Sequence, residues 1–195
     1  MKDIATYTRR ERKKLQCKYT ILRAARECFR KSGYEETTII QIAEAADISY
    51  ASFFNYFPTK DSLLPAMIQE QFEDMEELLR MEESQGATAM YMIRSIMAQT
   101  ARDIYLNKNI IFRMDALRTA GQAADASIVT NYNRIKDILT KFLQLAIQDG
   151  SLRDDISASR QAITLLGITR ASLVNGEDLD GCDRIIGDHL RLLSR

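Results

Sequence analysis

The 195-residue chain has only 2 prolines, 8 glycines and no tryptophan. An all-β chain of this length needs more turn-forming residues than that, so the composition favours helices. The cysteines, Cys17, Cys28 and Cys182, are too few and too far apart for a disulfide framework or a cysteine zinc site. No apolar run approaches the roughly 18 residues of a membrane span, and the basic start is not followed by the apolar stretch of a signal peptide. The expectation is a cytoplasmic protein with no membrane partner. The single histidine, His189, has no nucleophile motif beside it and reads as a packing or interface residue. There is no glycine-rich phosphate loop and no paired metal-ligand motif. The sequence therefore reads as a non-enzyme, with no cofactor and no metal.

An overall charge is also missing, because 27 Lys/Arg balance 27 Asp/Glu. The balance hides a split. Residues 1–60 hold 12 basic and 7 acidic side chains, residues 61–195 hold 15 and 20, and residues 1–31 alone hold 11 and 3. Such a basic head fits a segment that meets a polyanion, or else a solvated helix face.

What the sequence does have is helical periodicity. From Thr8 to Lys31, Cys17, Ile21, Ala24, Ala25, Cys28 and Phe29 form one stripe, with Arg9, Arg12, Arg23, Arg26 and Arg30 largely off it. Ser32-Gly33 stops this helix, Gly33 suiting a left-handed cap. Thr38-Ile39-Ile40-Gln41 has the capping-box pattern for a short helix through Ala46. Ser49 is a good N-cap for another through Phe57, which Pro58 ends. Thr59 is placed to cap a helix over 60–83, with Pro65 in its second turn as a kink. Further helices are expected at 88–107, 109–120, 124–149, 157–175 and 179–194, with Asp149-Gly150 and Asn175-Gly176 as stops. The fold class is all-α.

Three short helices in the first 57 residues, the last two joined by a tight turn, make a helix-turn-helix candidate. The local sequence sharpens it. Gly33-Tyr34, Thr37-Thr38, Ile42-Ala43, Ala46, Ile48-Ser49, Phe53-Phe54, Tyr56-Phe57, Lys60-Asp61 and Leu63 stand at the spacings of an N-terminal signature. That signature resembles the TetR (tetracycline-repressor-like) family, over about residues 15–65. Asp47 stands where the family usually has glycine, Ala51 where glycine is common, and Phe54 where tyrosine is usual. Asp tolerates left-handed backbone better than most residues, so the turn should survive.

The resemblance implies a helix-turn-helix DNA-binding domain at 1–60 and a helical ligand-binding and dimerisation domain at 61–195. Ile42, Ala43, Ile48, Phe53 and Phe57 read as core. The opposite face then offers Ser49, Tyr50, Ala51, Ser52, Asn55 and Tyr56 to double-stranded DNA. By the resemblance, Thr38 and Lys60, each at a helix N-terminus, would hold phosphates. The basic segment Arg9–Lys14 would add salt-sensitive affinity. The recognition helix contains no Arg or Lys, so specificity must come from hydroxyl, amide and thymine-methyl contacts or from DNA shape.

A helix-turn-helix regulator reads two half-sites as a dimer, and the resemblance places the homodimer contact in the last two helices. Their apolar residues include Ile163, Leu166, Leu173, Val174, Ile185, Ile186, Leu190 and Leu193, with Gly167, Gly181 and Gly187 beside them. All methionines after Met1 lie between residues 67 and 114. Methionine adapts to irregular apolar shapes, and it also simply fills cores. An apolar effector cavity would draw on Met67, Phe72, Met75, Met90, Met97, Tyr105, Phe112, Met114 and Tyr132. The expected function is a repressor that binds a palindromic operator and is released by a small apolar or amphipathic molecule moving the 60–83 helix. The alternative is a regulator controlled by cysteine redox state, through Cys182 and its symmetry mate, or one acting without a ligand.

Overall fold

Thr8 opens the first helix with a complete capping box. Its hydroxyl accepts from the Glu11 N–H and the Glu11 carboxylate accepts from the Thr8 N–H, so α1 runs Arg9–Ser32. The computed structural model that shows this describes residues 8–108 and 126–194, with side chains of the second stretch from residue 130 onward. Gly33 ends α1 at φ 81°, ψ 163°. The sign of φ matches the sequence expectation. The extended ψ makes it a break in chain direction rather than a left-handed turn, in a region open essentially to glycine.

Thr38 and Gln41 form the second expected capping box, and α2 covers Ile39–Ala45. Asp47 then takes φ 53°, alone among the described non-glycine residues, and Ser49 caps α3, Tyr50–Phe53. This helix is shorter than expected, the chain passing through turns to Phe57. Next, the Thr59 hydroxyl accepts from the Ser62 N–H and the Ser62 hydroxyl donates to the Thr59 carbonyl. That local turn consumes the cap, so α4, Leu63–Ser84, starts three residues later than Lys60. Pro65 thereby falls in the first turn, where an N–H would have no intrahelical partner, and the expected reason for a kink lapses.

The remaining described helices are α5 (Ala89–Leu106), α6 (Ala126–Gln148), α7 (Ala158–Val174) and α8 (Leu179–Leu193). Gly150 and Gly176 stop α6 and α7 with φ of 82° and 100°. The helix expected over 109–120 lies outside the described residues. The chain divides into two compact units, Met1–Glu70 and Gln71–Arg195. In the first, Ile21, Leu22, Ala25, Ile42, Ala43, Phe53, Phe57, Leu63 and Leu64 are buried. Ile48 and Cys28, expected inside, are only half-buried. In the second, one apolar core joins α4–α8 through residues such as Phe72, Met75, Met97, Leu139, Leu165 and Leu190.

Contacts along α4 fix the register of that second unit. Glu76 meets Arg134 and Glu83 meets Lys141, so α6 runs parallel to α4. Gln71 meets Asp103 while Glu82 meets Ser95, so α5 runs antiparallel. No described helix is long and apolar enough to cross a membrane, and no described group of three or more His, Cys, Asp or Glu residues is placed to hold a metal.

Candidate nucleic-acid interface and effector core

The expected reading element, α3, is short because it is built from a cap and a hydrophobic anchor. Ser49 Oγ accepts from the Ser52 N–H at 3.1 Å and lies 2.7 Å from Ser52 Oγ, so two of the expected reading hydroxyls are engaged with each other. Phe53 is fully buried and stacks 5.9 Å from Phe57, which pins α3 from below. The upper face is then Tyr50, Ala51, Phe54 and Asn55, all exposed. Tyr50 and Phe54 meet edge to face at 5.1 Å while keeping 53% and 41% exposure.

Tyr56 is half-buried and turned toward α1. A hydrogen bond with the Cys17 thiol, aided by burial, pushes its phenol above the ordinary value. Thr38 is exposed with its hydroxyl occupied in capping α2. Lys60 precedes α4 rather than opening it. Its ammonium donates to the carbonyls of Tyr34, Glu35 and Thr37 at 2.8, 3.2 and 3.0 Å and lies 4.3 Å over the Tyr34 ring. Tyr34 itself is buried, packs 4.9 Å from Phe29 and donates its hydroxyl to Asp61. Lys60 thus ties the Gly33–Thr37 turn to the segment that precedes α4.

Two exposed apolar residues of this unit, Phe54 and Ile40, were not chosen from the sequence. Phe54 was noted only as a replacement for tyrosine, and Ile40, 55% exposed in the first turn of α2, only as part of the capping-box pattern. The available signal was Ile39-Ile40 side by side, since adjacent positions on a helix cannot both face inward. Arg9, Arg10, Arg12, Lys13 and Lys14 are exposed on α1. Farther along, Arg30 pairs with Glu27, and Arg26 is held by Glu70 at 2.6 Å and the Met67 carbonyl at 2.8 Å. Acidic partners thus take up Arg26 and Arg30, while the start of α1 stays basic.

Of the expected effector residues, Phe72, Met75 and Met97 are buried together in the second unit's core, and Met90 packs partly buried against it. Met67 belongs to the first unit, fully buried. Tyr105 and Tyr132 lie at 38% and 45% exposure, away from that core. Tyr132 follows the buried Asn131, and one residue along a helix turns a side chain by about 100°. Phe112 and Met114 lie outside the described residues. In the last two helices, Leu166, Leu173, Ile186, Leu190 and Leu193 serve the internal core, whereas Ile163, Val174 and Leu192 are 51%, 45% and 73% exposed. A Cβ added at Gly167 or Gly187 would meet nothing within 4 Å, so neither glycine serves close packing inside the chain. Cys182, expected at that surface, is fully buried with Sγ 3.9 Å from the Thr169 carbonyl. Burial pushes its thiol up, helped by Asp183 and Glu177, so a bridge to a symmetry mate has neither access nor thiolate.

Comparison with known proteins agrees with this geometry. The family model for bacterial regulatory proteins of the tetR family matches residues 21–67. The HTH-type transcriptional repressor KstR of Rhodococcus jostii is 24% identical over 162 residues, 83% of this chain and 72% of that protein. The HTH-type transcriptional regulator UidR of Escherichia coli is 25% identical over 164 residues, 82% of each. A TetR transcription regulator from Haloarcula marismortui superposes with a TM-score of 0.76 at 19% identity, covering 93% of this chain and 100% of that one. A capped helix-turn-helix in the first unit, a helical second unit and these relatives lead to one conclusion: residues 21–67 carry the pattern of the tetR family of bacterial regulatory proteins, and the chain has the fold of TetR regulators.

Proposed function

We propose that the protein is a homodimeric repressor that binds a palindromic operator and lets go of it when a small apolar or amphipathic effector enters the second unit. The observation that carries the reading is the α3 face, where Tyr50 and Phe54 hold large apolar surface in water beside Asn55. Exposed apolar surface of this kind marks an interaction site. In a major groove, aromatic edges meet thymine methyls, and the Asn55 carboxamide can pair with an adenine edge. With no cation on this helix, such contacts and DNA shape carry the sequence preference, while Arg9–Lys14 carry the salt-dependent part. Ser49, Ala51, Ser52 and Tyr56 complete the reading turn, while Thr38 caps α2 and Lys60 ties down the Gly33–Thr37 loop that leads into it.

Dimerisation through α7 and α8 is supported by Ile163, Val174 and Leu192, which lie on those helices well exposed. Gly167 and Gly187, open on that part of the chain, would let a second copy approach closely. The methionines of the second unit's core support an effector-adaptable interior, since thioethers re-pack at low cost. Transcriptional repression is the activity named for KstR.

Selection of bound duplexes from a random DNA pool at two salt concentrations tests the reading. An enriched palindrome with half-sites a whole number of helical turns apart is the expected outcome. Salt-sensitive binding with no enriched sequence would refute sequence reading by the α3 face.

A further inference from the structure

Threonines inside helices ordinarily bond back to the preceding turn. Thr20, Thr140, Thr164 and Thr169 all do so here, to the carbonyls of Gln16, Lys136, Arg160 and Leu165. Thr100 on α5 is 7% exposed, yet its hydroxyl has no partner. On α6, Asn131 is 3% exposed, and both its carboxamide oxygen and its nitrogen are unpartnered. Gln161, the comparably buried amide, leaves its oxygen unpartnered but donates its nitrogen to the carbonyls of Ile156 and Arg153 at 2.9 and 3.4 Å, whereas Asn131 has neither atom satisfied. Thr100 and Asn131 therefore break the chain's own habit.

They also break it at one level of the second unit. α5 and α6 pack against each other, one antiparallel and one parallel to α4. In the register fixed by Gln71–Asp103 and Glu76–Arg134, the Phe72–Met75 turn of α4 lies level with Thr100–Ala101 and with Asn131. The surroundings are apolar: Phe72, Met75, Met97 and Ala101 belong to the buried core, with Ile104 and Ile135 packed against it. Among the described residues, the half-buried Arg134 at this level is already held by Glu76 at 2.7 Å and lies 4.3 Å over the Phe72 ring. Burying a carboxamide and a hydroxyl without partners costs stability, and such groups persist where something else completes them.

We propose that Thr100 and Asn131 are the polar end of the effector site, which takes an apolar molecule carrying a neutral carbonyl or hydroxyl group. The Asn131 NH2 and the Thr100 O–H donate to a ligand carbonyl, and the Asn131 oxygen accepts from a ligand hydroxyl. A neutral group is favoured because Arg134, the described cation at that level, is already paired. The inference rests on the effector-responsive reading above and names the ligand chemistry for it.

The test uses the full chain with octan-2-one, octan-1-ol and n-octane as probes. It follows the thermal midpoint and the side-chain NH2 resonances of Asn131. The ketone and the alcohol are expected to raise the midpoint and shift those resonances, with at least about tenfold tighter binding than n-octane, one hydrogen bond's difference. N131L should raise the midpoint of the free protein and abolish the preference for ketone over alkane. T100V reads the same two quantities if N131L does not fold. A lower free-protein midpoint in the variants, as for groups completed by a structural water, would overturn the proposal. So would equal binding of alkane and ketone, or no response to either polar probe. Operator binding by the free protein is measured alongside. Its loss in the wild type would count against the function reading, and the ketone preference is scored independently of it.

Discussion

The Lys60 ammonium lies over the Tyr34 ring and donates to the Tyr34 carbonyl, closing the Gly33–Thr37 turn from 26 residues away. Three carbonyls share this one charge, and the turn they belong to leads directly into the Thr38 cap of α2. The charge is thus committed to the protein and sets where α2 begins. Replacing Lys60 with Met should lower stability by about 1.5–3 kcal/mol, the cost of losing charge-assisted bonds, read as a lower urea midpoint at unchanged slope. Arg should not rescue it, because a planar fork cannot converge on three carbonyls as an ammonium does. A salt dependence of DNA binding reduced by a full phosphate's worth in K60M would instead mean that the lysine holds DNA directly.

Asp47 was read from the sequence as a stand-in for glycine, and its φ of 53° makes that reading quantitative. A β-branched residue there suffers the left-handed clash that Asp softens with its own short polar side chain. Asp47→Gly should be neutral or slightly stabilising, and Asp47→Val should cost about 1–2 kcal/mol, both measured by thermal unfolding. Equal midpoints for the two variants would show that the turn relaxes to another geometry.

These two residues mark how far the sequence could be read. Capping boxes, glycine stops and the Asp47 turn are local: the groups that satisfy the backbone lie within three or four residues, so spacing alone reveals them. The start of α4 was misplaced because Thr59 and Ser62 satisfy each other instead of the helix. The methionine-rich pattern singled out Phe72, Met75 and Met97 as cavity lining or core filling, and all three are buried in the core. It passed over Thr100 and Asn131, because a pattern that sorts residues by polarity sends every Thr and Asn to the solvent face. The Lys60–Tyr34 pairing is long-range in sequence and leaves no periodic trace.

The division of labour on the first unit predicts two kinds of DNA-binding loss. Y50A, F54A or N55A should each weaken binding to the selected duplex by about 1–3 kcal/mol while leaving random-sequence binding intact. Removing Arg12 or Lys13 should weaken both equally and lower the salt slope by about one per charge. Competition titrations at two salt concentrations separate them. A uniform loss from Y50A would assign the aromatic to backbone contact.

Cysteine chemistry gives a prediction with a worked sign. Burial holds the Cys182 thiol above its ordinary value, so the folded state keeps a proton that the unfolded chain releases first. Its stability contribution is whole below the ordinary thiol range and falls as pH rises through and beyond it. Cys28, pushed up by burial and then by Glu27, follows the same sign but is only half-buried. A thiol reagent should therefore label Cys17 and Cys28 in the native protein and reach Cys182 only on unfolding, as mass spectrometry would show. Operator binding should be the same with and without reductant. A reductant-dependent affinity would restore the redox alternative.

The exposed apolar residues of α7 and α8 lead to the last prediction. Ile163 and Leu192 are 51% and 73% exposed, so charging them changes the folded protomer by no more than about 0.5 kcal/mol. In a dimer formed through these helices the same charges are buried against a second copy without partners, where they are strongly unfavourable. I163E and L192E together should give a folded monomer by analytical ultracentrifugation. Its unfolding midpoint should no longer depend on protein concentration, and its affinity for a palindrome should fall to that of a half-site. A double variant that remains dimeric would move the interface elsewhere. The open Gly167 and Gly187 would then need another explanation for being glycine inside helices.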